Sequence, residues 1–252
     1  MSIYLKTESI KLVYQTPESE TLAIKDVSFT VDKGQFVSIV GPSGCGKSTL
    51  LSCIAGITLP TSGNILLENK PINGINRQVG YMLQSDNLLP WRSIYKNVLL
   101  GLEIQNKLTS ENIDYTHSLL KKYDLWEFKD SYPSALSGGM RQRAALIRTL
   151  AVKPSLLLLD EAFSALDYQT RVTVSQDVYN ILRSENQTMI MVTHDIPEAV
   201  SMSDRVIILS PRPAVVAKQV DIPFGKERDT VSLRGTKEYR QCYEAVWKEM
   251  SR

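Results

Sequence analysis

From Ile3 to Val31 apolar and polar residues alternate loosely. The runs IYL, IKLVY and VSFTV are rich in β-branched and aromatic residues, and a polar stretch lies near Gln15–Thr21. That pattern predicts short strands joined by a polar loop. A different pattern follows. FVSIV (36–40) is mostly apolar, and so are LLLLD (156–160) up to its aspartate, TMIMVT (188–193) and RVIIL (205–209). Helical segments separate these runs. Nearly continuous apolar strands alternating with helices predict a mainly parallel sheet covered on both faces.

Shorter signals fill the gaps. A helix is predicted through Leu50, Leu51 and Ile54, stopping near Gly56. SGNILLENKPING (62–74) reads as a hairpin, and GYMLQ (80–84) as a further short strand. Residues 92–155 carry few strand signals. Ser110 can cap a helix that carries Ile113, His117, Leu120 and Asp124. Another helix starts after Ser137-Gly138-Gly139, runs through RQRAALIRTLAV and ends before Pro154. The expected fold is α/β: a core with a mainly parallel sheet, an N-terminal antiparallel β subdomain and an inserted α-helical subdomain. Residues 1–84 and 156–215 form the core with its β subdomain, 85–155 the helical subdomain and 216–252 a C-terminal tail, all within one domain.

Bulk composition constrains function mainly by exclusion. The 252 residues carry 29 basic and 27 acidic side chains, so net charge +2 gives no argument for nucleic acid. Three cysteines, Cys45, Cys53 and Cys242, are odd in number and unpatterned, as expected of reduced cytosolic thiols. No secretory signal is visible, and no run approaches the ~20 apolar residues of a membrane-spanning helix.

The residues Gly41-Pro42-Ser43-Gly44-Cys45-Gly46-Lys47-Ser48-Thr49 fit G-x-x-x-x-G-K-[ST], between a predicted strand and a predicted helix. Glycines suit such a loop because a bulky Cβ keeps backbone N–H groups from closing around phosphate oxygens. The following helix adds the positive end of its dipole. Lys47 is expected to reach the β- and γ-phosphates and Ser48 to bind Mg²⁺. Cys45 reads as a small loop residue.

LLLLDE puts Asp160 and Glu161 at the C-terminal edge of a parallel strand, where ligands bind in α/β folds. Asp160 suits a Mg²⁺ ligand and Glu161 a general base for the attacking water. His194, in THDIPEAV, follows another apolar strand that ends on the same side, which favours contact with a γ-phosphate. Asp195 and Glu198 flank Pro197 as a helix start. His117 lies mid-helix and reads as a surface position or as core packing.

The phosphate loop, LSGGM (136–140) and LLLLDE, in this order, resemble the ATP-binding-cassette (ABC) ATPases, over nearly the whole chain. The resemblance implies a P-loop NTPase core and further roles. Tyr14, with Tyr4 as the second candidate, matches the aromatic that stacks on adenine, and Gln84 matches the glutamine that touches Mg²⁺ and links the site to a membrane partner. Ser164-Ala165-Leu166-Asp167 matches the D-loop, so Asp167 joins the nucleotide set, and His194 matches the switch histidine. It also implies that Ser137, Gly138 and Gly139 form a second anion nest that closes on ATP bound by a partner copy. ATP and Mg²⁺ are thus the expected cofactors, and an ATP-bound homodimer the expected assembly.

LSGGMRQRAALIRTLA and THDIPEAVSMSDRVIIL are close to bacterial import subunits. NLLPWRSIYKNVLLGLE and SPRPAVV resemble the nitrate/sulfonate/taurine branch, although Ala214 departs from its pattern. The implied function is ATP hydrolysis that energises uptake of a small solute such as a sulfonate-, taurine- or nitrate-like anion. Two permease subunits would be contacted near Gln84–Trp91, with a solute-binding protein outside, and the chain peripheral on the cytoplasmic face of the membrane. The rivals are an exporter or lipoprotein-release ATPase, which shares every catalytic motif, and a non-transport cassette.

Overall fold

The computed structural model describes residues 2–164 and 166–251. The chain forms two compact units, Met1–Asn76 with Gln176–Arg252, and Arg77–Ser175.

The first unit opens with β1 (Ile3–Thr16) and β2 (Ser19–Asp32), an antiparallel pair of 14-residue strands. Residues 3–31 thus form two long strands in place of the several short ones expected from their pattern. Register shifts explain the difference: they interrupt the pairing between Ile3 and Leu5 and between Thr7 and Ile10, where Ser9 adopts φ 45°. Each extra residue flips the buried face, so a strict alternation breaks while the strand continues. Next come β3 (Phe36–Val40), α1 (Lys47–Ile54), β4 (Ser62–Leu67) and β5 (Lys70–Pro71). β4 and β5 pair antiparallel, as the hairpin signal predicts.

The second unit contains β6 (Val79–Met82), α2 (Ile94–Ile104), α3 (Ser110–Lys122), α4 (Gly138–Ala151) and β7 (Leu156–Asp160). β6 and β7 are parallel, from Val79 opposite Leu156 to Met82 opposite Leu159. Thr109, not Ser110, caps α3, its hydroxyl accepting from the Asn112 N–H at 3.3 Å. Adjacent hydroxyl residues compete for that cap, and pattern alone does not separate them. His117 packs, with its ring edge-on to Trp126 at 5.0 Å and its Nε2 3.1 Å from the Tyr95 hydroxyl.

The chain returns to the first unit along α5 (Tyr168–Ser184), followed by β8 (Thr188–Val192), α6 (Ile196–Met202), β9 (Arg205–Leu209), β10 (Ala214–Asp221) and α7 (Lys237–Met250). Strands in this unit run in the order β5-β4-β1-β2-β10-β9-β3-β8. β3 lies parallel between β9 and β8, and every residue of β3 and β8 is buried. Their unbroken apolar pattern follows from that position. Residues 216–252 contain most of β10 and all of α7, whose Tyr239 and Val246 pack with Val200 and Val206. Arg183 of α5 and Arg228 share the Asp204 carboxylate, at 2.5 and 2.9 Å.

Candidate functional site

In the first unit the phosphate loop leaves β3 at the sheet edge and enters α1 at Lys47. Gly46 stands at φ 114°, a backbone that L side chains rarely adopt, and no side chain caps α1. A Cβ on Gly41 would lie 2.9 Å from Cys45 Sγ and 3.0 Å from the Leu209 carbonyl oxygen, so only glycine fits there without displacement. Lys47 is 6% exposed, and its ammonium donates to the carbonyls of Gly41 and Pro42, both at 2.9 Å. Ser43, Gly44 and Ser48 are exposed. The Tyr14 hydroxyl donates to Thr49 Oγ1 at 3.4 Å, and the Tyr14 ring is 45% exposed. Burial pushes the Cys45 thiol up, against the opposing pull of Lys47.

His194 leaves β8 on the same edge, because β8 pairs parallel with β3 and Val192 lies opposite Ile39. The His194 side chain is exposed. Asp195 caps α6 as its position predicts, accepting from the Glu198 N–H at 2.8 Å.

In the second unit the parallel register of β6 and β7 brings Gln84 and the Asp160-Glu161 pair to one edge. Asp160 is 7% exposed and accepts a hydrogen bond from the Tyr81 hydroxyl at 2.9 Å. Glu161 has φ 46°, the left-handed region. Its carbonyl is held by the Ser164 N–H at 3.0 Å and the Ser164 hydroxyl at 2.9 Å. Gln84 Nε2 donates to Glu161 Oε2 at 3.4 Å and to Ser164 Oγ at 3.3 Å.

The LSGGM turn lies elsewhere in this unit, at the start of α4. Ser137 Oγ accepts from the Met140 N–H at 3.3 Å. A cavity of about 370 Å³ opens there, lined by Ser137, Gly139, Met140, Arg143, Thr170 and Thr173 among others. Asp167 accepts from the Thr170 N–H at 3.1 Å, and the Thr170 side chain and N–H hold its carboxyl below the usual range. Ala165 of the D-loop match lies outside the described residues.

Residues 24–164, more than half of the chain, match the family model described as ABC transporter. The chain belongs to the ABC transporter family. It is an ATP-hydrolysing cassette of that family. The uncharacterized ABC transporter ATP-binding protein YtlC of Bacillus subtilis (strain 168) is 43% identical over 251 residues, 98% of this chain and 96% of that protein. The taurine import ATP-binding protein TauB of Yersinia pestis bv. Antiqua (strain Antiqua) is 40% identical over 204 residues, 81% of this chain and 80% of its own. Among solved structures, the dimeric post-hydrolysis state of the ATP-binding cassette MJ0796 bound to ADP and Pi has TM-score 0.75 at 30% identity. It covers 88% of this chain and 100% of the solved one.

Two contacts within this cassette had no sequence signal strong enough to find them. Tyr81 reads as one more aromatic of a short strand, yet its hydroxyl holds Asp160. Ser164 carries no more than the D-loop match, yet it touches both Gln84 and the Glu161 carbonyl. The parallel register of β6 and β7 decides the first contact, and register is not written in either strand alone. No helix among the described residues is long and apolar enough to cross a membrane. No three His, Cys, Asp or Glu residues among them cluster as a metal cage. Ser48 in the first unit offers a hydroxyl, and Gln84 and Asp160 in the second offer an amide oxygen and a carboxylate. Each is a hard oxygen donor of the kind that Mg²⁺ takes.

Proposed function

We propose that this cassette is the ATP-hydrolysing subunit of an importer for a small anionic solute. Two copies would work head to tail on two permease subunits at the cytoplasmic face of the membrane, peripheral to it. One observation carries the shared-site part of this reading. The Ser137–Gly139 helix start opens onto its own cavity, while the phosphate loop of the same chain leads into another helix start, at α1. Two such helix starts in one chain suit a C₂ pair in which each copy lends its LSGGM turn to the other's nucleotide.

Within each copy the roles follow side-chain chemistry. Gly41, Pro42, Ser43, Gly44, Cys45 and Gly46 present backbone to phosphate, Lys47 supplies charge and Thr49 continues the helix start. Tyr14 stacks on adenine. Ser48, Gln84 and Asp160 would hold Mg²⁺, which would neutralise developing charge on the phosphates. Glu161 takes the proton of the attacking water, and His194 meets the γ-phosphate. Ser137, Gly138 and Gly139 act across the dimer, with Asp167 beside them.

Trp91 is 72% exposed and suits the permease contact; Leu88, by contrast, is buried and belongs to the packing. The taurine-import relative and the resemblance of NLLPWRSIYKNVLLGLE to the same branch support a small anion as cargo, recognised by an extracytoplasmic binding protein. The dimer is tested on a sizing column with Glu161→Gln, which should run as a dimer with ATP and as a monomer without it. A dimer indifferent to ATP, or no dimer at saturating ATP, overturns the shared site. Uptake of labelled taurine, nitrate and an alkanesulfonate, with and without this chain, tests the transport reading. An exporter would leave all three uptakes unchanged.

A further inference from the structure

The segment Gln84–Leu88 has no regular secondary structure, but α4 holds it at three of its five residues. Gln142 Nε2 donates to the Gln84 carbonyl at 3.4 Å. Arg148 donates to the Asp86 carbonyl at 2.6 Å and to the Asn87 carbonyl at 2.7 Å. Arg141 Nε donates to Asp86 Oδ2 at 3.0 Å, while Asp86 Oδ1 accepts from the Leu88 N–H at 3.1 Å. The other end of the Arg141 guanidinium donates to the carbonyl of Leu136, the first residue of LSGGM, at 2.9 Å.

One side chain therefore grips the Gln84 loop and the LSGGM turn at once. Arginine suits this task because its guanidinium is planar, permanently charged and presents donors in two directions. Lysine has a single point of charge and cannot reproduce both bonds. Gln84 in turn touches Glu161 and Ser164. Hydrogen bonds from Glu161 to Gln84, the two peptide links from Gln84 to Asp86, and the bonds of Arg141 to Asp86 and Leu136 thus form one connected path, entirely inside the second unit. Such a chain transmits a displacement because its ends cannot move independently without breaking a charge-assisted bond.

We propose that Arg141, through Asp86, is a positioning residue that locks the Gln84 loop to the LSGGM turn, so that the state of one sets the other. The inference rests on the shared-site reading above. In that reading, ATP bound at one copy is felt at Gln84 of that copy, and the lock passes this to the turn that the copy presents to its partner. Neither Arg141 nor Asp86 needs to touch nucleotide for this. Breaking the lock should affect turnover and ATP-driven pairing while leaving ATP binding to the isolated chain nearly intact.

The experiment is a double-mutant cycle on the full chain with Arg141→Gln, Asp86→Asn and the pair. Each single variant should lower kcat about tenfold with KM for ATP within about twofold, the mark of an interaction made after binding. The double variant should be no worse than either single one, because both remove the same contact. Arg141→Lys should fall between wild type and Arg141→Gln. A purely structural role would lower the melting temperature and leave kcat per folded chain unchanged. If Arg141→Gln fails to fold, Asp86→Asn carries the test alone. In the Glu161→Gln background, Arg141→Gln should raise the ATP concentration needed for dimer formation at least about fivefold. Failure of the Glu161→Gln parent to pair with ATP overturns the shared-site reading. A parent that pairs, combined with an Arg141→Gln variant of normal ATP dependence and kcat, overturns the lock.

Discussion

Gln84 Nε2 faces Glu161 Oε2 at 3.4 Å, and the backbone that carries this carboxylate is left-handed, with φ 46° at Glu161. A non-glycine residue in that region costs on the order of 1–3 kcal/mol and persists where its surroundings over-determine it. Here the two Ser164 bonds to the Glu161 carbonyl fix the turn, and the Gln84 amide steadies the carboxylate. Glu161→Gln keeps the shape and loses the base, so ATP binding should survive. Hydrolysis should fall by about 10² to 10⁴-fold. Gln84→Ala should lower kcat less, because the base remains. Steady-state hydrolysis with nucleotide-binding titrations checks both, and normal turnover in Glu161→Gln would remove it from the role of base.

Tyr81 holds Asp160 from the neighbouring parallel strand with a 2.9 Å bond to a carboxylate that is almost fully buried. Tyr81→Phe removes the donor and leaves the ring. A hydrogen bond to a charged group contributes about 1.5–3 kcal/mol. At this chain length the variant should melt roughly 3–10 °C lower. The Mg²⁺ concentration for half-maximal hydrolysis should also rise, since the carboxylate is freer to turn. Calorimetry and a Mg²⁺ titration read the two effects separately; no change in either would mean that the bond is not formed in solution.

The motifs of the candidate site were more legible in the chain than their connections. Gly41–Thr49, Ser137–Gly139 and Asp160-Glu161 are local patterns, each placed by one strand end or one helix start, and local patterning finds them. The apolar strands β3, β7 and β8 were equally plain, because both faces of each are covered and every position is apolar or small until the site begins. Tyr81, Ser164 and Arg141 act through bonds to residues 79, 80 and 55 positions away or to a turn that only the fold closes. The bulges of β1 were hidden for a related reason. They displace the buried face at Ser9, so an alternation count sees fragments of what is one strand.

The three thiols differ in burial, and alkylation should rank them. Burial pushes the Cys53 thiol up to about 11 and raises Cys45, while Cys242 is raised by shallower burial. At pH 8 only about one Cys53 in a thousand would be thiolate, and the thiolate is the reactive form. Iodoacetamide should therefore label Cys242 first, and Cys45 and Cys53 only with denaturant, as mass spectrometry of digests would show. The linkage has a definite sign. In the unfolded chain Cys53 ionises near its ordinary value, so its contribution to stability is complete below that pH. It is lost as pH rises toward the folded value of about 11. Alkaline melts of Cys53→Val should lose part of that slope.

Ser137 has two separable tasks, and two substitutions should pull them apart. Its hydroxyl caps α4 by accepting from the Met140 N–H, and it also lines the cavity at that helix start. Ser137→Ala deletes both and should cost about 1 kcal/mol of stability as a lost cap. Ser137→Asn keeps an acceptor for the helix N–H groups, so its melting temperature should stay near that of the wild type. The asparagine side chain is larger and presents its polar atoms farther from the backbone, so it cannot restore the hydroxyl on the cavity side. If this turn acts on the partner's nucleotide, both variants should lose turnover while single-chain ATP affinity stays close to normal. Melting curves, ATP titrations and hydrolysis rates on the same preparations decide the matter. A Ser137→Asn variant with wild-type turnover would confine Ser137 to capping, and weakened affinity without slower turnover would place its action within its own chain.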